Sequence, residues 1–534
     1  MNHQVQTIPI VIGVTGHRSI REEDVPALLA AVKEELTALR DRCPHSPLMM
    51  LNSLAEGGDH LCARAAAELG IPLMAALPME YPEYVKDFTP QGKKRLDEYI
   101  AAAEQVFVAP PTEAVPEAPS RDFLFRQAGI YMAAHSHVLL ALWDGGEGTP
   151  HACGTAEAVD FALRGSYQPA AGSALRLGTS ETVIHIFTPR GKRTGEAAGT
   201  VHRLGDMEAL EDMLKKTDEF NALAASSAPE KPPLLPEDRP EDPMLDRLER
   251  GYQTADTLSV GFAKIYRRTL GLLAAASTIL TLAFLLYDEA EAIWMIFVCG
   301  AMLIGAWLCR RYASRSDCHR RYIEYRALAE CCRVQAFLRY AGSTLQTADV
   351  FSWTQQEETA WIMNALCALT VGPDPWKIRD IRECWVGAQE KYHRKAAAAT
   401  LRKSVGSERV VSAALLLSVM LYVAALIFEL AAGGELARPT LPVADPELYR
   451  TFLKIAMGSI SAATLFISNY YGRLSLPRKL SDHGKMERFY AKIGEQLTLQ
   501  GQTDGLLTLL AREELIENGN WCSYQRDNRP DISF

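Results

Sequence analysis

Along the first 200 residues, apolar and polar positions alternate in two rhythms. Short runs rich in apolar residues, Pro9–Val14, Leu48–Asn52, Leu73–Pro78, Gln105–Val108, Val138–Trp143 and Thr182–Thr188, read as strands. Between them Val25–Asp41, Asp59–Leu69 and Arg121–His135 repeat apolar residues at helical spacing. Strand, helix, strand at this interval predicts an α/β doubly wound parallel sheet, Rossmann-like, over residues 1–225. The next segment, SSAPEKPPLLPEDRPEDPM (226–244), carries six prolines and mixed charges and reads as a linker without a core.

Beyond the linker the pattern turns into long uninterrupted apolar runs. Residues 270–287 and 292–308 carry no charge and are separated only by DEAE; residues 410–428 are equally clean. A fourth run, 452–471, is weaker because it contains Lys454. Roughly 20 apolar residues span a bilayer, so the expectation is an all-α membrane domain of four transmembrane helices. They form two hairpins, each followed by further helices, over 245–409 and 410–534. A faint repeat supports the pairing: SDCHRRYIEYRALAE (316–330) and SDHGKMERFYAKIGE (481–495) match at Ser316/Ser481, Asp317/Asp482, Tyr325/Tyr490 and Glu330/Glu495.

Flanking charges orient the spans. Lys264, Arg267 and Arg268 precede the first, Arg310, Arg311 and Arg315 follow the second, Arg402, Lys403 and Arg409 precede the third, and Arg473, Arg478 and Lys479 follow the fourth. The positive-inside rule then places both termini and residues 311–409 in the cytosol, for a multi-pass protein of the inner (cytoplasmic) membrane. The N-terminal residues lack the pattern of a signal peptide. In the fourth run Lys454, Ser461, Thr464 and Ser468 recur at helical spacing. They line a pore in a homo-oligomer, or they serve interhelical hydrogen bonding beside Gly458-xxx-Ala462 close packing; the pattern leaves both open.

Composition narrows the partners. A net charge of -9 and a pI near 5.8 argue against a nucleic-acid partner. The eleven cysteines show neither CxxC nor Cys/His ligand spacing, so no disulfide framework and no metal site is expected.

Chemistry gathers in three Gly-bearing turns that follow strands. In GVTGHR, Gly13 and Gly16 permit close backbone approach to a phosphate, and Thr15, His17 and Arg18 supply donors. The spacing is neither GxGxxG nor a P-loop. The second turn holds Ser53, Glu56, Gly57, Gly58 and Asp59, with Asp59 expected to cap the helix that follows. The third holds Asp144, Gly145, Gly146 and Gly148, then Gly154, Thr155 and Glu157 at a helix start. Strand ends on one edge of an open sheet make one ligand crevice. His60 and Cys62 read as structural residues on a helix face.

With VTGHR (14–18), SLAEGGD (53–59), ALWDG (141–145) and GTAEAV (154–159), residues 9–190 resemble the SLOG superfamily, the Rossmann-like nucleotide-sensing or nucleotide-processing fold related to LOG phosphoribohydrolases and DprA-type proteins. The hairpins, with the tail ENGNWCSYQRDNRPDI (517–532), resemble SLATT domains, two-helix membrane effectors found beside SLOG sensors in bacterial conflict systems. The resemblance implies a nucleotide or ADP-ribose-type ligand, no required cofactor, and an effector in anti-phage defence that opens a pore or disrupts the bilayer. In LOG enzymes the motif PGGxGTxxE supplies a Glu that works with an upstream Arg to cleave an N-glycosidic bond. Here Ala158 stands at the Glu position with Glu157 one place early, and Arg126 is the candidate partner. A one-residue slip turns a helical side chain by ~100°, so the expectation favours binding over hydrolysis; a membrane-anchored nucleotide hydrolase is the alternative.

Overall fold

A computed structural model describes residues 7–146, 153–165, 182–190, 196–227, 233–239, 241–350, 359–375, 378–432, 446–473 and 476–527. In chain order the elements are β1 (Ile10–Gly16), α1 (Val25–Arg42), β2 (Leu48–Asn52), α2 (Gly58–Leu69), β3 (Leu73–Leu77), α3 (Tyr81–Tyr84), α4 (Pro90–Ala102), β4 (Gln105–Val108), α5 (Arg121–His135), β5 (Val138–Trp143), α6 (Thr155–Arg164), β6 (Thr182–Phe187) and β7 (Val201–Gly205). Then come α7 (Met207–Ala224), α8 (Pro243–Glu289), α9 (Met295–Ser316), α10 (Cys318–Tyr340), α11 (Thr347–Val350), α12 (Ala360–Leu369), α13 (Ala388–Ala432), α14 (Pro446–Arg473), α15 (Leu476–Gln500) and α16 (Asp504–Asp527).

The seven strands form one sheet in the order β4-β3-β2-β1-β5-β6-β7. Every pairing is parallel except the last, in which β7 runs antiparallel to β6. Central strands β1 and β5 are almost wholly buried, which explains their unbroken apolar runs. β7 (VHRLG) lies at an edge, half-exposed, and its polar residues hide it from hydropathy.

Chain order runs outward from β1 through β2, β3 and β4 on one side and starts again at β5 on the other. The reversal lies between β1 and β5, where Gly16 pairs with Leu142. Open α/β sheets bind ligands at such a switch point, beyond the carboxyl ends of the strands.

Two compact units are interleaved along the chain rather than consecutive. The first gathers residues 1–259, 324–381 and 502–523; the second gathers 260–323, 382–501 and 524–534. Within the first, Phe220 of α7 meets Tyr325 of α10 at 5.3 Å and Trp361 of α12 at 6.4 Å between ring centroids. The hydroxyl of Tyr131 in α5 accepts the Gly372 N–H at 2.9 Å and donates to the Gly372 carbonyl. The Pro-rich segment is less free than its composition implies. Leu235 and Met244 are buried, and Asp242, also buried, pairs with the buried Arg339 at 2.6 Å. The paired residues Cys331 and Cys332 are buried among these helices.

Three helical stretches, Pro243–Glu289 (which begins in the first unit), Met295–Tyr340 (which ends in the first unit) and Arg382–Leu430 of the second, are long and apolar enough to cross a membrane. Their apolar side chains face outward: Leu272 is 63 % exposed, Phe297 77 % and Leu416 62 %. In water such surface would be strongly unfavourable; in lipid it is at home. α14, which holds the fourth apolar run, is not among the three stretches. It packs so closely on α8 that a Cβ on Gly458 would lie 2.8 Å from Leu285. Beside that contact Lys454 pairs with Glu289 at 3.0 Å. Of the polar stripe, Ser461 and Ser468 are exposed, and Thr464 bonds back to the Ile460 carbonyl at 2.7 Å. The repeat segments are both helical at Tyr325 and Tyr490, and both tyrosines are buried. Their starts differ, because Asp317 is the left-handed joint between α9 and α10 while Asp482 lies inside α15.

Candidate functional site

The end of β1 is held to its neighbours by backbone. His17 N–H donates to the Leu142 carbonyl at 3.0 Å, and Gly58 N–H donates to the His17 carbonyl at 2.9 Å. The first bond joins β1 to β5 and the second joins the first turn to α2. Gly16 and Gly58 meet face to face: a Cβ on either would stand 2.8 Å from the other's Cα. These glycines bring helix and strand into contact. Gly57 adopts φ +88°, and a Cβ there would lie 2.3 Å from the carbonyl oxygens of both His17 and Arg18. Gly13 does not reach the crevice. It lies three residues, ~10 Å, before the strand end, packed against Ser136.

Across the switch point the buried His17 ring meets Asp144. Its Nε2 lies 3.1 Å from the Asp144 backbone N–H and 3.2 Å from the Asp144 carboxylate. The two contacts ask for opposite protonation states. Burial, assisted by Arg190 and His185, outweighs the carboxylate and lowers the His17 pKa below 6.5. At neutral pH the ring is therefore neutral and Nε2 accepts the amide. Asp144 also accepts Gly146 N–H at 3.0 Å, and Gly145, at φ +71°, turns the chain away. Thr15, half-buried, precedes this pair. Arg18 is exposed, stacks on Phe125 at 5.1 Å and approaches Asp87 at 3.8 Å. Its charge opposes the upward pKa shifts of Asp59 in the second turn and Cys153 in the third.

The second turn is mostly occupied with its own structure. Asn52, unremarked in the sequence, accepts Leu54 N–H at 2.7 Å and donates to the Asp59 carbonyl at 2.9 Å. The Ser53 carbonyl accepts the Tyr84 hydroxyl at 3.0 Å. Glu56 accepts from the Thr89 N–H and hydroxyl at 2.9 and 2.7 Å, bracing the start of α4. Asp59 does not cap α2; Gly57 occupies that position, and the Asp59 carboxylate turns inward to accept Ala55 N–H at 3.2 Å. His60 and Cys62 are buried, as expected of structural residues.

Burial raises the Asp59 pKa from 3.8 to about 7. The folded chain thus keeps a proton that the unfolded chain releases between pH ~4 and ~7, and stability must fall as pH rises through that window. Asp59→Asn should remove this decline, so that between pH 4 and pH 8 the variant loses about 2–4 kcal/mol less stability than the unaltered chain. Urea midpoints across pH for both proteins check it. Parallel curves would overturn the assignment.

In the third turn, Gly146 is the last described residue before Cys153; Gly148 and residues 147–152 lie outside the described residues. Gly154, extended, is the N-cap of α6, and Thr155, its first residue, is buried. The Glu157 side chain points at Arg126 of α5: Arg126 Nε donates to Glu157 Oε1 at 3.0 Å, and Cys153 N–H donates to Oε2 at 2.9 Å. The one-place slip in the motif does not separate them, because α5 packs alongside α6 and presents Arg126 to this face. Arg126 Nη1 also pairs with Glu113 at 2.5 Å and stacks on Phe161 at 5.0 Å. Buried Gln127 secures Glu113, donating to its carboxylate at 2.7 Å. Glu113 and Gln127 carry no motif, and only the fold reveals them. Among the described residues no cluster of His, Cys, Asp and Glu could hold a metal ion.

Comparison with protein-family models and with curated proteins returns no match.

Proposed function

We propose that this chain is a membrane-bound effector. Its sheet unit binds a nucleotide or ADP-ribose-type signal at the β1/β5 switch, and its apolar helices answer by opening a pore or disturbing the bilayer. The observation that carries the proposal is the His17–Asp144 pair laid across the switch point, in a chain that also contains three membrane-length apolar stretches. Neutral His17, exposed Arg18 and the α6 start at Gly154 and Thr155 suit a phosphorylated ligand. In the full reading the fold is SLOG-like and the hairpins SLATT-like, α14 makes a fourth crossing, both termini lie in the cytosol, and homo-oligomers act in anti-phage defence. A ligand shifts such an assembly only by its difference in affinity for the two states.

A second reading has its own observation. Arg126 and Glu157 meet at 3.0 Å, the pairing a LOG-like N-glycosidase needs. Both Glu157 oxygens are already engaged, and Arg126 is shared with Glu113, so binding is favoured over proton transfer.

The test uses the full-length protein in detergent, with thermal unfolding followed in AMP, NAD, ADP-ribose and cyclic dinucleotides. A binder at 100 times its Kd should stabilise by about 2.7 kcal/mol. His17→Asn is expected to weaken that ligand ~10–100-fold through the loss of a buried contact. A chain that no nucleotide stabilises at millimolar concentration would overturn the proposal. For the output, ligand-dependent dye leakage from vesicles holding the protein is expected.

A further inference from the structure

The second unit collects cations at one end of its apolar helices. Arg267 of α8 stands just before the apolar run 270–287, Lys403 of α13 two turns before the run 410–428, and Lys479 in the first turn of α15, which follows α14. Three helices thus bring a basic residue to the same end of the apolar layer. Lys479 is half-buried, and helix pairing brings its turn to the level of Arg267 and Lys403. α8 runs antiparallel to α14, with Leu285 at Gly458 and Glu289 at Lys454; α13, with the stretch leading into it, runs antiparallel to α15, with Val386 at Gly494 and His393 at His483. The Lys479 pKa is lowered, first by burial and then by these two like charges, Arg267 and Lys403, and no carboxylate opposes the shift. The acids nearby in sequence on these elements are engaged elsewhere: Asp482 with Arg478 and Lys485, Glu390 with Arg394. Glu408 is exposed.

Gathering like charges around a partly desolvated lysine is unfavourable unless an anion joins them. Directly beyond Arg267 and Lys403 the surface turns apolar, with Leu272 63 % and Val410 45 % exposed. A ligand matching both features has an anionic head and apolar tails. We infer that Arg267, Lys403 and Lys479 form a binding site for the phosphate of an anionic phospholipid, whose acyl chains lie along the exposed faces of α8 and α13. The inference rests on these helices being membrane spans, and no part of it concerns the nucleotide crevice.

The test is thermal unfolding of the full-length protein in detergent with three probes at equal concentration: dioctanoyl phosphatidylglycerol, dioctanoyl phosphatidylcholine and inorganic phosphate. Phosphatidylglycerol should raise Tm by ~3–5 °C and the other two should not. The shift should vanish in Arg267→Gln/Lys403→Gln, whose changed residues are exposed and spare the fold, and persist in Lys264→Gln, which removes an exposed cation on the same helix. No shift with phosphatidylglycerol, an equal shift with phosphate, an undiminished shift in the double variant, or an equal loss in Lys264→Gln would each overturn the site. Alkaline extraction of membranes tests the spans separately: a chain released into the supernatant fails as a membrane protein, whereas a chain retained in the pellet without a lipid shift fails only here.

Discussion

A full-length protein carrying Glu157→Gln is expected to bind its nucleotide within a few-fold of the unaltered chain and to return it intact. The reason lies in how Glu157 is held. Glutamine keeps the shape and a carbonyl that accepts from Arg126 Nε, giving up only the Cys153 N–H bond to Oε2, and Arg126 retains Glu113 as a counter-ion. If Glu157 instead works as a general acid or base, the outcome is different. Free base would appear with the unaltered protein and fall by ~10²–10⁴-fold in the variant, the usual worth of such a group. Chromatography of ligand recovered after overnight incubation separates the cases. Base release lost in Glu157→Gln would replace the sensor with a glycosidase. Arg126→Ala is harsher under either reading, because it leaves Glu113 and Glu157, both largely covered, without their shared cation; a stability loss of about 2 kcal/mol follows, after allowance for their partial exposure.

Gly57→Ala should cost about 3–5 kcal/mol of stability. Two penalties add there. The residue sits at φ +88°, and the new methyl would stand 2.3 Å from two carbonyl oxygens that are themselves fixed, one of them by the Gly58 N–H. No flexible side chain can move aside. Gly70→Ala is the control: its φ is +67°, but nothing lies within 4 Å of the added carbon, so only the backbone penalty of about 1 kcal/mol remains. Denaturant midpoints of the two variants measure the difference. Equal losses would mean that the close approach of the two turns contributes nothing.

What could be read in the chain follows from where information is local. Buried parallel strands announce themselves, and five of the six expected strands match their observed spans within a residue at each end, because strands such as β3 and β5 have no polar face to blur them; β1 runs two residues past the expected Val14, through Thr15 and Gly16. β7 was missed because an antiparallel edge strand of five residues, VHRLG, has too little apolar content to stand out. The three turns were legible from glycine and strand order. Their detail was not. Asn52, Glu113 and Gln127 act through partners that only the folded chain brings near. Asp59 looked like a helix cap from its position, yet the glycine ahead of it takes that role and frees the carboxylate to turn inward. Three helical stretches of membrane-crossing length were plain from length and composition. Their packing, such as Gly458 on Leu285, depends on a contact across 173 residues of chain, for which hydropathy has no term.

The interleaving of the two units has a consequence for how the protein is made. The sheet leaves the ribosome first, but the helices that cover Phe220 come later, and residues 502–523, which supply Glu514 to Arg333, come almost last. By then the three apolar stretches of membrane-crossing length have already been synthesised. During translation the nascent sheet therefore waits with the outer faces of α5 and α7 uncovered, a state prone to aggregation and suited to chaperone custody. Shortening the gene after residue 225 would make that waiting state permanent, so the sheet and the later helices that cover it depend on one uninterrupted chain.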